Sequence, residues 1–481
     1  MLDKIKSLSK DTLIYGTSTI VGRFLNFLLV PVYTNLFLPG EFGVVANIYA
    51  YIAILNVFLS IGLESGYFKF ASTLEVGSEK ENFSHPFIGI FLNSFFISAI
   101  LFLFSKDLSF LFQVDPSKDY LIKYTALILF FDAIVLVPFA YLRLQHKAKQ
   151  FATIRVISIV LNVIFNIILI VVLKQGIEAV FISNLIASAV TFAVLLPIIL
   201  KNLKISFNRK LWSELLRFSL PYIPAGISSN IVQVINRPIL TALTNDSTVG
   251  IYQANYRLGI FMMLFVSMFD FAWRPFFLQN AKEPNAREIY SKVMTIFVIA
   301  ASFIFLALTL FIENIATFKL PFKGYLIGKA YWGGLEIVPL ILLGYLFYGM
   351  YINLMAGIYI EKKTKYLPYI TGLAAVVNII ANFLLIPVLN MKGSAIATAL
   401  SYFIMLAGIY YASQKHYYIK YEFKKLGLIF LSLAFCYFIF VISSQDYGYW
   451  FVKLFVLLVF TSSVFFLGVV DFKSVRKLIK H

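Results

Sequence analysis

Charged residues make up only 13% of this 481-residue chain, against roughly 25% in ordinary soluble domains. With 60% hydrophobic residues, that shortage excludes a soluble globular protein and indicates a membrane protein. Cysteine is nearly absent: Cys436 stands alone in an apolar run, so no internal disulfide can form. Histidine is scarce too. His85, His146, His416 and His481 fall in loops or at the terminus, without the spacing of a zinc site. No run alternates polar and apolar residues as barrel strands do. The stretch GYLIGKA, Gly324 to Ala330, has three residues between its glycines and Ala330 where a phosphate loop needs Ser or Thr. ATP is therefore not the evident energy source.

Apolar runs recur from Thr12 to Val470 with short polar breaks, each near the ~20 residues that cross ~30 Å of hydrocarbon as a helix. They predict spans near 12–37, 42–63, 86–104, 120–142, 152–173 and 178–199, then 217–243, 249–272, 292–312, 332–359, 367–389 and 393–412, with a final pair near 426–443 and 450–470. The N-terminal MLDKIKSLSK is basic, and the apolar segment after it is too long for a signal-peptide core. It reads as an uncleaved first span. With that terminus inside, 29 of the 41 Lys and Arg fall on cytoplasmic segments, the bias expected of fourteen spans with both termini cytoplasmic. The same bias accounts for the net charge of +18, so no nucleic-acid partner is implied. Outer ends and loops take 9 more, which leaves Arg23, Arg237 and Arg257 inside spans.

The chain repeats itself. RFLNFLLVPVYTNLFLPGEFGVVANIY (Arg23 to Tyr49) aligns without a gap on NIVQVINRPILTALTNDSTVGIYQANY (Asn230 to Tyr256), pairing Pro31 with Pro238 and Gly43 with Gly250. A second match sets NVIFNIILIVVL (from Asn162) on NIIANFLLIPVL (from Asn378), so that Asn162 and Asn166 meet Asn378 and Asn382. An even number of spans per block keeps the halves parallel about an axis along the membrane normal, and a central site is expected where they meet. The expected architecture is an all-α polytopic membrane protein with about 14 transmembrane helices. Residues 1–205 form one six-helix lobe, 206–415 its pseudo-symmetric partner, and 416–481 two extra helices and a basic tail.

These segments resemble the polysaccharide-biosynthesis branch of the multidrug, oligosaccharidyl-lipid and polysaccharide exporter superfamily, the flippases of lipid-linked (O-antigen type) oligosaccharides. The resemblance rests on FLNFLLVPVYTNLFLPGEFGVVANIYAYI, LRLQHKAKQFATIRVISIVLNVIFNIILIVVL and NIIANFLLIPVLNMKGSAIATALSY, and it extends over nearly the whole chain. It implies a multi-pass protein of the bacterial inner membrane, with a cavity between two lobes open alternately to each side. It also implies a substrate of undecaprenyl pyrophosphate carrying a short glycan, for O-antigen, capsule or exopolysaccharide. Polysaccharide polymerase and chain-length machinery are the protein partners it suggests, alongside membrane lipids. The last two spans resemble the extra pair with which lipid II flippases line a lipid groove.

An arginine facing lipid mid-span costs about 2.5 kcal/mol or more, so such residues usually face a bundle interior or a wet cavity. Arg23 lies about 11 residues into its helix, roughly 16 Å deep at ~1.5 Å per residue. Arg23, Arg237 and Arg257 are the candidates for a cationic lumen that holds the pyrophosphate, because guanidinium matches phosphate oxygens and stays charged. The alternative pairs each with Asp132, Asp270 or Glu336 as structural glue. Asp132, mid-span, is either such a counter-ion or a carrier of a coupling H+ or Na+; no other cofactor is implied. Asn26 is a further lumen candidate. Asn162 and Asn166, like Asn378 and Asn382, share one helical face and either line the path or join helices. Pro31, Pro221, Pro224 and Pro238 interrupt spans one and seven, as hinges between inward and outward states or as static kinks.

A net positive lumen opposes the nearest rival, a drug or organic-cation antiporter of the same superfamily. A membrane glycosyltransferase or polymerase needs acids, bases or metal ligands converging at an aqueous face. The longest outer segment, about 313–331, has one acidic residue and no histidine. The expected activity is transport rather than catalysis.

Overall fold

In hydrocarbon every backbone N–H and C=O must be satisfied within the protein, which makes a helix the natural form of an apolar run of this length. The computed structural model is almost wholly helical and describes residues 2–321, 324–443 and 449–466. Its first half comprises α1 (Leu2–Phe27), α2 (Leu29–Leu36), α3 (Pro39–Ser60), α4 (Leu63–Thr73), α5 (Glu79–Leu103), α6 (Ser105–Phe112), α7 (Asp119–Ile134), α8 (Leu136–Leu144), α9 (Ala148–Asn166) and α10 (Glu178–Asn202). The second comprises α11 (Arg209–Ser219), α12 (Tyr222–Val234), α13 (Asn236–Leu243), α14 (Asp246–Tyr256), α15 (Ile260–Asn280), α16 (Ala286–Ala316), α17 (Val338–Ile360), α18 (Tyr366–Leu389) and α19 (Met391–His416). Then follow α20 (Phe423–Ser443) and α21 (Tyr449–Phe466).

Twelve helical segments among the described residues are long and apolar enough to cross a membrane. The seventh span, made of α12 and α13, is not among them because Ser228, Ser229, Asn230, Gln233, Asn236 and Arg237 make it less apolar, and α21 is a shorter apolar helix. These two bring the total to the fourteen expected. One boundary shifts. Residues 217–219 belong not to span seven but to α11, a separate amphipathic helix capped by Asn208, whose side chain accepts from the Leu211 amide at 3.1 Å. Its Leu211 and Leu215 are fully buried and pack toward α4.

Proline sets the breaks in one repeated way. Pro31, Pro138, Pro224 and Pro238 are each the third residue of their helix, α2, α8, α12 and α13. Each lacks the N–H that would reach the carbonyl four residues back, at Phe27, Ile134, Leu220 and Val234, and its ring crowds that carbonyl. The helix breaks at the next residue in three cases, Leu28, Val135 and Ile235, and at 220–221 in the fourth, where Pro221 sits in the turn. The repeat seen in the sequence holds to the residue here: α2 and α3 begin at Leu29 and Pro39, α13 and α14 at Asn236 and Asp246, a constant offset of 207.

The halves meet along α3 and α14 at one end and α1 and α15 toward the other. The segment after α16, expected as an outer loop, folds into a strap. Strand β1 (Lys319–Leu320) pairs antiparallel with β2 (Gly324–Tyr325), and a 3-10 turn, Lys329–Ile337, leads into α17. The strap reaches back to the first half. Asn35 donates to the Tyr325 carbonyl at 2.6 Å and accepts from its amide at 3.0 Å. The Gly328 amide donates to Thr34 Oγ1 at 3.0 Å, and the Tyr331 hydroxyl to the Phe37 carbonyl at 2.9 Å.

Outward faces carry exposed Phe95, Phe96, Leu384 and Val388, the apolar surface a bilayer would cover. Between helices the buried residues include Asn47, Asn236, Asn255 and Asn353, consistent with polar side chains bridging helices in a membrane protein.

Candidate functional site

A cavity of about 370 Å³ lies between the halves, walled chiefly by α1, α3, α7, α9 and α10, with Gln253 and Arg257 entering from the second half. Its size falls within the ~300–1,000 Å³ of ligand pockets. Arg257 opens the 3-10 turn Arg257–Gly259 that separates α14 from α15. Its guanidinium makes no hydrogen bond or ion pair with any described residue and shares the cavity wall with Tyr33 and Tyr49. Five N–H donors are thus left for whatever enters.

Around these tyrosines the wall is polar and built in layers. Tyr33 donates to Asn166 Oδ1 at 2.8 Å, and the Asn166 amide donates to the Asn162 carbonyl and Oδ1 at 2.8 and 3.1 Å. Asn162 then faces the cavity, as does Asn26, while Asn166 is fully buried behind it. Asn184 donates to the Tyr49 hydroxyl at 3.1 Å. Amides and hydroxyls fixed in this way can exchange hydrogen bonds with the hydroxyls of a sugar.

A second cavity, about 650 Å³, continues past the first toward the α3–α4 break and α12. Tyr222, Gly226 and Asn230 bring the second half to its wall. At the break, Ile61 and Gly62 take φ of +47° and +68°, a left-handed turn that glycine adopts freely. Glu64, also on this wall, forms an ion pair with Arg143, whose guanidinium lies 4.7 Å from the Phe68 ring.

Arg155 lines both cavities and was not singled out by the sequence. The span boundary at 152 placed it near a helix end, so the loop-charge bias absorbed it. A signal was present, since Arg155, Ser158 and Asn162 recur at helical spacing and share one face of α9. Asp132 lies on the same two cavities, three residues before the Val135 break, and accepts from Ser188 Oγ at 2.6 Å.

The remaining candidates sit elsewhere. Arg237 is 6% exposed on α13, 4.4 Å from the Tyr256 ring; it donates from Nε to Gln253 Oε1 at 3.0 Å and to the Gln233 carbonyl. It therefore holds Gln253 at the cavity rather than facing it. Arg23 is half-buried and donates to Ser267 Oγ at 2.6 Å, joining α1 to α15. Asp270 pairs with Arg274 at 2.6 Å and Glu336 with Lys392 at 2.8 Å, so neither is the partner of a mid-span arginine. Asn378 and Asn382 are fully buried in α18, the Asn382 amide donating to the Asn378 carbonyl and Oδ1 at 2.8 and 2.9 Å. Among the described residues, no group of three His, Cys, Asp or Glu could hold a metal ion.

Residues 32–299 match the family model described as polysaccharide biosynthesis protein. No curated protein matches the chain. Among solved structures, the lipid II flippase MurJ in an inward closed conformation superposes with a TM-score of 0.76 at 18% identity, covering 95% of this chain and 100% of that one. A multidrug resistance MATE family transporter of the MOP superfamily, inward-facing, gives 0.63 at 13% identity, covering 82% of this chain and 94% of its own. A MOP superfamily transporter from Pyrococcus furiosus with a binding pocket of reverse polarity gives 0.59 at 13%, covering 85% and 95%. At such identities the likeness establishes a shared fold.

Proposed function

The chain belongs to the polysaccharide biosynthesis protein family, and from that premise we propose that it is a flippase for undecaprenyl-pyrophosphate-linked oligosaccharide. The observation that carries the reading is the unpartnered guanidinium of Arg257 in a cavity whose wall also carries amides and hydroxyls. Arginine pairs with phosphate oxygens through two parallel hydrogen bonds, and Asn26, Asn162 and Asn184 on the same wall suit a glycan. Arg155 adds a second cation on the path.

Residues 1–205 and 206–415 act as the rocking lobes, with 416–481 appended, and the Pro31 and Pro238 breaks are the bends that alternating access uses. Both termini lie in the cytoplasm of a bacterium and the protein in its inner membrane, where polysaccharide polymerase and chain-length proteins would take the product. A proton or sodium gradient supplies the drive. The two cavity cations disfavour an organic-cation substrate, which they would repel.

Cells lacking the protein and any paralogue test this reading. Lipid-linked repeat units should accumulate on the cytoplasmic face while surface glycan disappears. Normal surface glycan in those cells contradicts it.

A further inference from the structure

Three residues line both cavities: Asp132, Arg155 and Ser158. They stand where the two cavities border one another. Asp132 is tethered by Ser188 at 2.6 Å. Arg155 lies 4.4 Å from the Phe139 ring and donates no hydrogen bond to a described residue. Asp132 and Arg155 share both cavity walls without forming an ion pair with each other. Glu64, which shares the wall of the second cavity with Arg155, is paired with Arg143. Asp132 is thus the carboxylate on these walls that no cation contacts directly.

A guanidinium and a carboxylate that share both walls without pairing respond oppositely to a passing pyrophosphate. Phosphate oxygens offer the guanidinium a closer, bidentate partner, while the carboxylate repels the same group. Resting on the flippase reading above, we infer that Arg155 and Asp132 are a hand-over pair for the substrate's pyrophosphate. Arg155 takes the anion as it crosses from one chamber to the other. Asp132 is the resting counter-charge of Arg155, and its repulsion speeds release. No covalent step is involved.

The consequence is a pair of opposite effects at adjacent residues. The probe is farnesyl pyrophosphate, with farnesol as the uncharged control, binding to the purified full-length protein in nanodiscs. Arg155→Gln should weaken farnesyl pyrophosphate binding about tenfold, and Asp132→Asn should tighten it about tenfold while slowing turnover. Asp132→Ser, expected to act in the same direction, serves if the asparagine variant does not fold. Arg155→Lys keeps the charge without the fork and should fall between wild type and Arg155→Gln.

Unchanged or weaker binding in folded Asp132→Asn, with wild type still preferring farnesyl pyrophosphate to farnesol and Arg257→Ala still losing that preference, overturns this inference alone. A wild-type protein that does not distinguish the two probes overturns the flippase reading and this inference with it.

Discussion

Gly43 and Gly250, repeat-related positions on α3 and α14, bring the two halves into backbone contact. A β-carbon on Gly43 would lie 1.8 Å from the Asp246 carbonyl oxygen, and one on Gly250 would lie 1.9 Å from that of Pro39. The contact is reciprocal, as the pseudo-twofold axis requires, and it lies next to Phe42 and one helical turn from Gln253, which both line the cavity.

Gly43→Ala or Gly250→Ala therefore wedges α3 and α14 apart, because neither carbonyl can yield without moving its helix. The expected cost to the closed state is about 1–3 kcal/mol. A cysteine placed at Asn162 should react faster with a membrane-impermeant maleimide in either glycine variant than in the unwedged protein. Equal rates would mean that the contact does not seal the cavity.

Asn35→Ala removes both hydrogen bonds that hold the strap at Tyr325 and leaves the Thr34 and Tyr331 links in place. Net losses of about 1 kcal/mol per bond are typical. Backbone hydrogen exchange should rise over residues 324–331 and stay unchanged in α18 and α19. A uniform rise would point to global destabilisation instead.

Arg237 and Arg257 should separate by stability. Arg237→Ala strands Gln253 and the Gln233 carbonyl and should lower the melting temperature, with a loss of about 1–3 kcal/mol. Arg257→Ala removes a charge with no partner and should leave stability equal or higher, while abolishing transport. Thermal unfolding in detergent beside a transport assay reads both; a large stability loss in Arg257→Ala would show that its side chain is structural.

Much of this architecture is legible in the sequence because hydrophobic length and proline chemistry are local. The offset of 207 between Pro31 and Pro238 foretells two helix breaks at equivalent positions. Pro138 in span four acts by the same local chemistry and breaks the helix three residues after Asp132, but no repeat partner draws attention to it. What the chain order hides is long-range: the strap tied to Asn35 is 290 residues from it, and Glu336 finds its partner in the distant Lys392, whereas the Asp270–Arg274 pair lies within one helical turn and is local. Arg155 is hidden for another reason. Near a span boundary, a lumen arginine and a loop arginine are alike in composition, and only the Ser158 and Asn162 face of its helix distinguishes them.

The central claim is that the Arg257 cavity carries an anionic lipid-linked glycan across the membrane. Its most direct test is translocation of a fluorescent undecaprenyl-pyrophosphate oligosaccharide in proteoliposomes, under imposed proton or sodium gradients, for wild type and Arg257→Ala. Gradient-dependent flipping by wild type, lost in the folded variant, is the predicted result. Equal flipping by both, or none by folded wild type across several glycans, would contradict it.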